Sequence, residues 1–306
     1  MRATLIDDLP DEKLATAVAD LVRPGGRWRK VDRGYTQAQQ WIVRWPDGRS
    51  VFVKSGTDAL TWGWLEAEIG VYAAVDAPWM PRLVASAGDG QGCGPVLVLE
   101  DLHEAQWPDP WEDTMVAAVV ATLEEVHART APAGLPPLSD RRDVLHGWPL
   151  VARDPRPFLS TGLAGARWLE RALPVLEAAS ARADLSGDAL LHLDLRSDNI
   201  CRHRGQVKLV DWTWACRGNP VFDTCAWLPS LHAEGGPRPE RIAPGQPEFA
   251  AMLAGYFCSQ AGLPPQQPGS QRRAVQRAQA AAALPWAARE LGLPDPGDAP
   301  REGVPR

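Results

Sequence analysis

The sequence predicts an α+β fold in two parts, a β-rich first part of about 100 residues and a mostly helical remainder. Three observations predict it. QWIVRW (40–45) and RSVFVK (49–54) alternate, are rich in β-branched and aromatic residues, and are joined by PDG, so they read as a hairpin. GPVLVLEDL (94–102) is a near-continuous apolar run, the pattern of a buried strand. Beyond residue 112 the pattern turns helical, at 112–130, 164–183, 247–260 and 270–291.

The elements follow in order. After the hairpin, LTWGWLEAEIGVYAAV (60–75) reads as a helix with an apolar stripe at Leu65, Ile69 and Tyr72. Glu68 falls on that inward face, whereas Glu66 points with Gly70 and Ala73. An inward carboxylate needs a cationic partner. Lys54, closing the second hairpin strand, is the candidate; taken alone it would pass for a surface lysine at a strand end. Pro-rich stretches at 131–138 and 262–268 read as loops, and 292–306 as a frayed tail.

Composition bounds the function. At 306 residues, 45% hydrophobic and 23% charged, the chain is long enough for a substantial core and ordinary for a soluble protein. A net charge of −6 with no basic run argues against nucleic acid as a partner. Only four lysines occur, so a lysine in a demanding position is informative. The five cysteines are odd in number and form no C-x-x-C pair. The N-terminus lacks a signal-peptide pattern. The longest apolar run, MVAAVVATL (115–123), is too short to span a membrane. Together these predict a reduced, cytoplasmic protein with no membrane partner; its oligomeric state stays open.

The chemistry concentrates in LLHLDLRSDNI (190–200). Alternation from 191 to 196 would put Leu191, Leu193 and Leu195 on one face and His192, Asp194 and Arg196 on the other. Such charge beside leucines either lies on a solvated strand and turn or builds a site. His192, Asp194 and Asn199 fit the spacing H-x-D-x-x-x-x-N, and Asp211 follows in LVDW. A carboxylate can orient an attacking hydroxyl and accept its proton, the role expected of Asp194. Asn199 and Asp211 are hard oxygen donors suited to Mg²⁺. With only two asparagines and six histidines in the chain, this set is a specific signal.

With Lys54, Glu68, that loop and Asp211 in order, the chain resembles the aminoglycoside phosphotransferase and choline-kinase-like family over roughly residues 30–230. HLDLRSDNI resembles its H-G-D-L-x-x-x-N-[IVL], VDW its I-D-[WF], and GNPVFDTCAW its G-x-P-x-x-D-[LIV]-A. EIGVY and LEEVHA, with His127, match positions that recur in the family. The resemblance implies a protein-kinase-like bilobal fold. Residues 1–101 would be an antiparallel-sheet nucleotide lobe with a hinge near 99–102. Residues 102–306 would be a helical lobe with catalytic loop, metal site and acceptor cleft.

It also implies an ATP-dependent kinase using Mg²⁺ and phosphorylating a hydroxyl of a small molecule. Lys54, positioned by Glu68, would meet the phosphates, and backbone groups near Glu100 and Leu102 the adenine. Asp223 would brace the catalytic loop, with His192 and His127 in structural roles. Arg196 would face the γ-phosphate, or else be a surface arginine. Three departures stand out. DRGYTQAQQ (32–40) has one glycine, leaving Thr36 as the candidate phosphate contact. Leu193 replaces the glycine of H-G-D. Trp212 and Thr213 replace Phe-Gly after Asp211, so no flexible glycine supports a flip there.

Only a short interval separates Asp211 from Gly218, which leaves no room for a protein kinase's long activation segment. The acceptor is therefore expected to be small, an aminoglycoside-type antibiotic or a related hydroxylated metabolite. Trp107, Trp111 and Trp148 fall where the family shapes its acceptor cleft, and sugar stacking and core filling are both open for them. Glu104, Asp109, Glu112 and Asp113 could meet ammonium groups or form a solvated loop and helix start. The alternative reading is a catalytically weak nucleotide-binding or regulatory member; its signature would be a lost catalytic residue, and here all remain.

Overall fold

The structure, a computed structural model, describes residues 4–6, 9–32, 38–89, 92–265 and 271–297. In chain order, the first elements are β1 (Thr4–Ile6), α1 (Glu12–Leu21), β2 (Arg27–Asp32), β3 (Gln39–Arg44), β4 (Ser50–Ser55), α2 (Ala59–Ala74), β5 (Leu83–Ala87) and β6 (Val96–Glu100). Helices α3 (Asp113–His127), α4 (Arg142–Leu145), α5 (Trp148–Arg153), α6 (Arg156–Leu159) and α7 (Ala166–Ala181) follow. The chain ends with β7 (Ala189–Leu191), β8 (Ile200–His203), β9 (Gln206–Leu209), β10 (Cys216–Gly218), α8 (Pro220–Ala233), α9 (Pro247–Ala261) and α10 (Arg272–Glu290). Two compact units result, Met1–Asp109 with Ser197–Ala215, and Pro110–Arg196 with Cys216–Arg306.

The first unit holds a six-stranded antiparallel sheet in the order β1-β2-β3-β4-β6-β5. The predicted hairpin is β3–β4. Its turn closes with Gly48 N–H donating to the Trp45 carbonyl, and Gly48 supplies the positive φ of 85° that the turn needs. Helix α1 lays Leu14, Ala17 and Val18 against Trp41, Val43, Val51, Val53, Val96 and Val98. Each such buried valine contributes about 1.5–3 kcal/mol, so this cluster anchors the sheet. Because side chains alternate along β4, Val51 and Val53 join that core while Lys54 turns to the opposite face, toward α2.

Helix α2 begins with a capping box. Asp58 accepts from Thr61 N–H at 2.8 Å, and Asp58 N–H donates back to Thr61 Oγ1 at 3.0 Å. Its buried stripe runs Thr61, Leu65, Glu68, Val71 and Tyr72. Glu68 is inward as expected, and Ile69 is only half-buried.

The sequence divided the chain at residue 101. Contacts instead carry the first unit to Asp109 and return 197–215 to it. Backbone pairing accounts for this. Gln106 and Arg202 exchange both N–H···O bonds at 2.8 Å, and Leu209 N–H donates to the Trp79 carbonyl at 2.8 Å. The β8–β9 hairpin is thereby stitched to the segments flanking β5 and β6.

In the second unit the four predicted helices appear as α3, α7, α9 and α10. Helix α9 is buried on nearly every side, with Ala250, Ala251, Met252, Leu253 and Ala254 all inside, and it packs on α5, α7 and α10. Helix α8 starts at Asn219, whose side chain accepts from Val221 N–H at 3.0 Å, with Pro220 as first helical residue. Strands β7 and β10 pair antiparallel, Leu191 opposite Cys216. The expected frayed tail is corrected over 292–297. Trp168 Nε1 donates to the Pro294 carbonyl at 2.8 Å and Pro296 is buried, so this stretch is fastened to α7. No described helix is long and apolar enough to cross a membrane.

Candidate active site

In the first unit, Lys54 Nζ lies 2.7 Å from Glu68 Oε2 and 2.9 Å from Asp211 Oδ1. The pair expected from the sequence is thus a trio, two carboxylates on one ammonium. Burial alone would push the Lys54 pKa down, but the Asp211 and Glu68 charges outweigh it and hold the ammonium above its ordinary value. Burial pushes the Glu68 carboxyl up, against the pull of Lys54.

Two residues complete the network. Trp212 N–H donates to Glu68 Oε1 at 3.2 Å, and Thr213 Oγ1–H donates to Asp211 Oδ1 at 2.7 Å. Asp211 itself stands in the left-handed region, φ 64° and ψ 67°. Asn199 is buried just before β8, and its carbonyl accepts from Val210 N–H at 2.9 Å. Asn199 and Asp211 therefore mark the open end of the β8–β9 hairpin.

In the second unit, the fully buried Asp223 carboxylate accepts from His192 N–H at 2.9 Å and from Leu193 N–H at 2.8 Å. His127 Nε2 lies 2.9 Å from the same carboxylate. Burial would raise the Asp223 pKa, but the His127 bond and charge and the His192 N–H outweigh it, so the carboxyl sits below its usual range. Leu193 has φ 65°, a conformation that costs an L-residue about 1–2 kcal/mol. That geometry corrects the expected alternation. The loop turns at Leu193, leaving it half-exposed, while His192 is buried along with Leu191 and Leu195. It also accounts for the replaced glycine, since leucine here adopts the backbone conformation for which glycine is the usual residue.

Asp194 and Arg196 lie together in this unit, Arg196 Nε 3.3 Å from Asp194 Oδ1. The Arg196 side chain is 15% exposed, against the surface-arginine alternative. Asp194 N–H donates to His192 Nδ1 at 3.2 Å, so His192 supports the loop with backbone and ring alike.

The family model described as phosphotransferase enzyme family matches residues 27–242. The chain belongs to that family. It is accordingly a small-molecule kinase in class. The solved structures that resemble it include three kinases or phosphotransferases. APH(2")-IIia, solved as a GDP and kanamycin complex, is 14% identical with a TM-score of 0.59, covering 92% of this chain and 99% of its own. A choline/ethanolamine kinase family protein from Mesorhizobium loti is 14% identical with a TM-score of 0.58, covering 92% and 97%. ADP-bound APH(2'')-Ib is 12% identical with a TM-score of 0.55, covering 90% and 98%. At these identities the likeness establishes the fold, α+β and protein-kinase-like. No match is found among curated proteins.

The remaining candidates of this phosphotransferase divide. Glu100 N–H donates to the Arg82 carbonyl at 3.0 Å, and the Leu102 carbonyl accepts from Ala105 N–H at 2.9 Å. The Glu100 carboxylate is held by Arg82 N–H and by Lys208, whose ammonium also donates to the Met80 carbonyl at 2.8 Å. Thr36 lies outside the described residues. Trp148 is fully buried and donates to the Ala251 carbonyl at 2.7 Å, so it fills core. Trp111 packs edge-on against Trp227 and donates to Glu234 Oε2 at 2.9 Å. Trp107 is half-buried, and Glu112 and Asp113 open α3.

The donor chemistry fits Mg²⁺. Asp211 and Asn199 offer a carboxylate and an amide oxygen at one end of a hairpin, and Asp211 shares the Lys54 ammonium with Glu68. Among the described residues no three His, Cys, Asp or Glu side chains cluster as metal ligands. One carboxylate and one amide oxygen suit an ion whose other ligands are phosphate and water. Sequence reasoning missed Thr213, treating it only as a departure; a hydroxyl two residues after the aspartate was the available signal.

Proposed function

We propose that this phosphotransferase moves the γ-phosphate of Mg·ATP to a hydroxyl of a small molecule, an aminoglycoside-type antibiotic or a related hydroxylated metabolite. The observation that carries the reading is the Lys54 ammonium held between Glu68 and Asp211. A lysine held charged in this way can orient phosphate oxygens without being taken up by solvent. Asp194 would accept the acceptor hydroxyl's proton, and Arg196 would offset charge on the transferring group. Backbone groups at Glu100 and Leu102 would meet the adenine. Asn199 and Asp211 would hold Mg²⁺, which when bound neutralises phosphate charge. Asp223, by fixing the His192 and Leu193 amides, would set the position of Asp194. The five cysteines are free thiols, which supports a reduced, cytoplasmic setting.

The test is coupled ADP release with Mg·ATP. Wild type and Asp194→Ala would be compared against aminoglycosides, other hydroxylated antibiotics, choline, homoserine and simple sugars. Acceptor-stimulated ADP release lost in Asp194→Ala, with ADP affinity retained, is the expected result. Stimulation that survives Asp194→Ala would overturn the role of Asp194. Mg·ATP binding with no stimulation by any acceptor would favour the weak nucleotide-binding reading.

A further inference from the structure

Asp211 is held in an unusual way. Its backbone is left-handed, a conformation that costs a non-glycine residue free energy and needs support. One carboxylate oxygen, Oδ1, receives both the Lys54 ammonium at 2.9 Å and the Thr213 hydroxyl at 2.7 Å. The same hydroxyl lies 3.3 Å from Glu68 Oε2. Glu68 in turn receives the Trp212 amide on its other oxygen. A hydroxyl has one proton, and the shorter distance assigns it to Asp211.

We infer that Thr213 is a positioning residue for the metal-binding carboxylate. It acts through Asp211 and touches neither nucleotide nor acceptor. Two donors on Oδ1 fix the rotation of the carboxylate about its terminal torsion, which is otherwise broad. The carboxylate plane is then set before the ion arrives, and no ordering cost falls on binding. Lys54 alone leaves that rotation softer, because an ammonium is a point charge on a flexible stem. Residues adjoining metal ligands commonly tune affinity by about 10–100-fold in this way. The sequence context agrees, since Thr213 occupies the place where a D-F-G segment has its flexible glycine. Here the pivot is replaced by a hydroxyl that fastens the aspartate two residues before it. The inference rests on the metal role proposed for Asp211.

The test uses Thr213→Val, which exchanges the hydroxyl for a methyl at nearly constant shape, Thr213→Ser, which keeps the hydroxyl, and Thr213→Ala. Calorimetry would measure ADP affinity with and without Mg²⁺, a readout independent of turnover. The half-saturating Mg²⁺ concentration for phosphoryl transfer would be measured beside it. In Thr213→Val the Mg²⁺-dependent gain in ADP affinity should fall at least fivefold, with metal-free ADP affinity within twofold of wild type. Thr213→Ser should restore the gain to within twofold. If Thr213→Val fails to fold, Thr213→Ala carries the same comparison. An unchanged Mg²⁺ gain in the variants lacking the hydroxyl overturns the inference, as does an equal loss of metal-free ADP affinity. Should wild type itself show no Mg²⁺ gain, the metal reading of Asp211 fails and takes this inference with it. A wild-type gain matched by Thr213→Val leaves that reading standing and removes Thr213 alone.

Discussion

The Leu193 amide donates to Asp223 Oδ1 at 2.8 Å while Leu193 holds a φ of 65°. Strain in the loop and the bond that offsets it thus meet at one residue. Asp223 also takes the His192 amide, and His127 lies against it, so one buried carboxylate serves three donors. Replacing it strands all three. Asp223→Ala should destabilise the protein by about 3 kcal/mol or more, since bonds to charged groups are each worth roughly 1.5–3 kcal/mol. Urea denaturation would measure it; a loss below about 1 kcal/mol would show that the loop does not depend on this brace.

The same carboxylate sets a pH dependence. Its folded pKa lies below the unfolded value, so its contribution is fully present above the ordinary carboxylate pKa of about 4. That contribution is lost as pH falls through the folded value. Asp223→Asn cannot titrate, so the stability gap between it and wild type should shrink as pH falls below about 4. Urea midpoints at pH 7, 5, 4 and 3 decide this. A gap that widens in acid would mean the sign is wrong.

The Lys54 trio predicts an asymmetry. Removing Glu68 leaves Lys54 with Asp211, whereas removing Lys54 leaves two carboxylates facing each other across its place. Lys54→Met should therefore cost more stability than Glu68→Gln, within the range of about 3–5 kcal/mol for breaking a buried pair. The double variant should cost less than the sum of the singles, because Lys54→Met already leaves Glu68 without its partner. Equal costs, or strict additivity, would argue that the trio is not coupled.

How much of this was legible follows from what each residue needed. Glu68 was readable because helical periodicity carried it inward with Leu65 and Tyr72, and an inward carboxylate implies a cation. Lys54 followed as the lysine closing the second hairpin strand, the candidate cation for that carboxylate. Asp211 joining the same ammonium was not readable, since nothing in residue spacing reports a contact across 157 positions. Leu193 misled the alternation because its positive φ turns the loop there, leaving Leu193 half-exposed while His192 is buried with Leu191 and Leu195. Helix α8 escaped for a different reason. Phe222, Cys225, Trp227, Leu228 and Leu231 are buried all round it, and Pro229, a residue that reads as a helix breaker, lies inside it, so no single apolar stripe exists to be read.

Thiol chemistry offers an independent check on the core. Cys201, Cys216, Cys225 and Cys258 are fully buried, and Cys93 is the half-buried one. Burial pushes Cys216 and Cys225 up to about 12, so neither supplies thiolate at neutral pH. Maleimide labelling of native protein should modify Cys93 first, and the other four only after denaturant is added. Rapid native labelling at Cys216 would contradict the pairing of β10 with β7.

The last prediction concerns Trp148, a tryptophan the sequence left open between core and acceptor cleft. Its indole N–H is bonded to the Ala251 carbonyl, and its ring lies so near Gly255 that an added Cβ there would stand 2.7 Å from it. The contact works only because α9 presents glycine at that position. Gly255→Ala should thus overpack the α5–α9 contact and cost about 1–3 kcal/mol, although alanine is the better helix former by about 1 kcal/mol. Trp148→Phe should remove the bond to Ala251, whose carbonyl keeps its place in the α9 helical ladder, at a cost of about 0.5–1.5 kcal/mol. Combining the two should cost less than the sum, since phenylalanine vacates part of the space the added methyl needs. Thermal and urea unfolding of the three variants would show it. A stabilising Gly255→Ala would mean that helix propensity outweighs the clash and that the two helices can separate at this point.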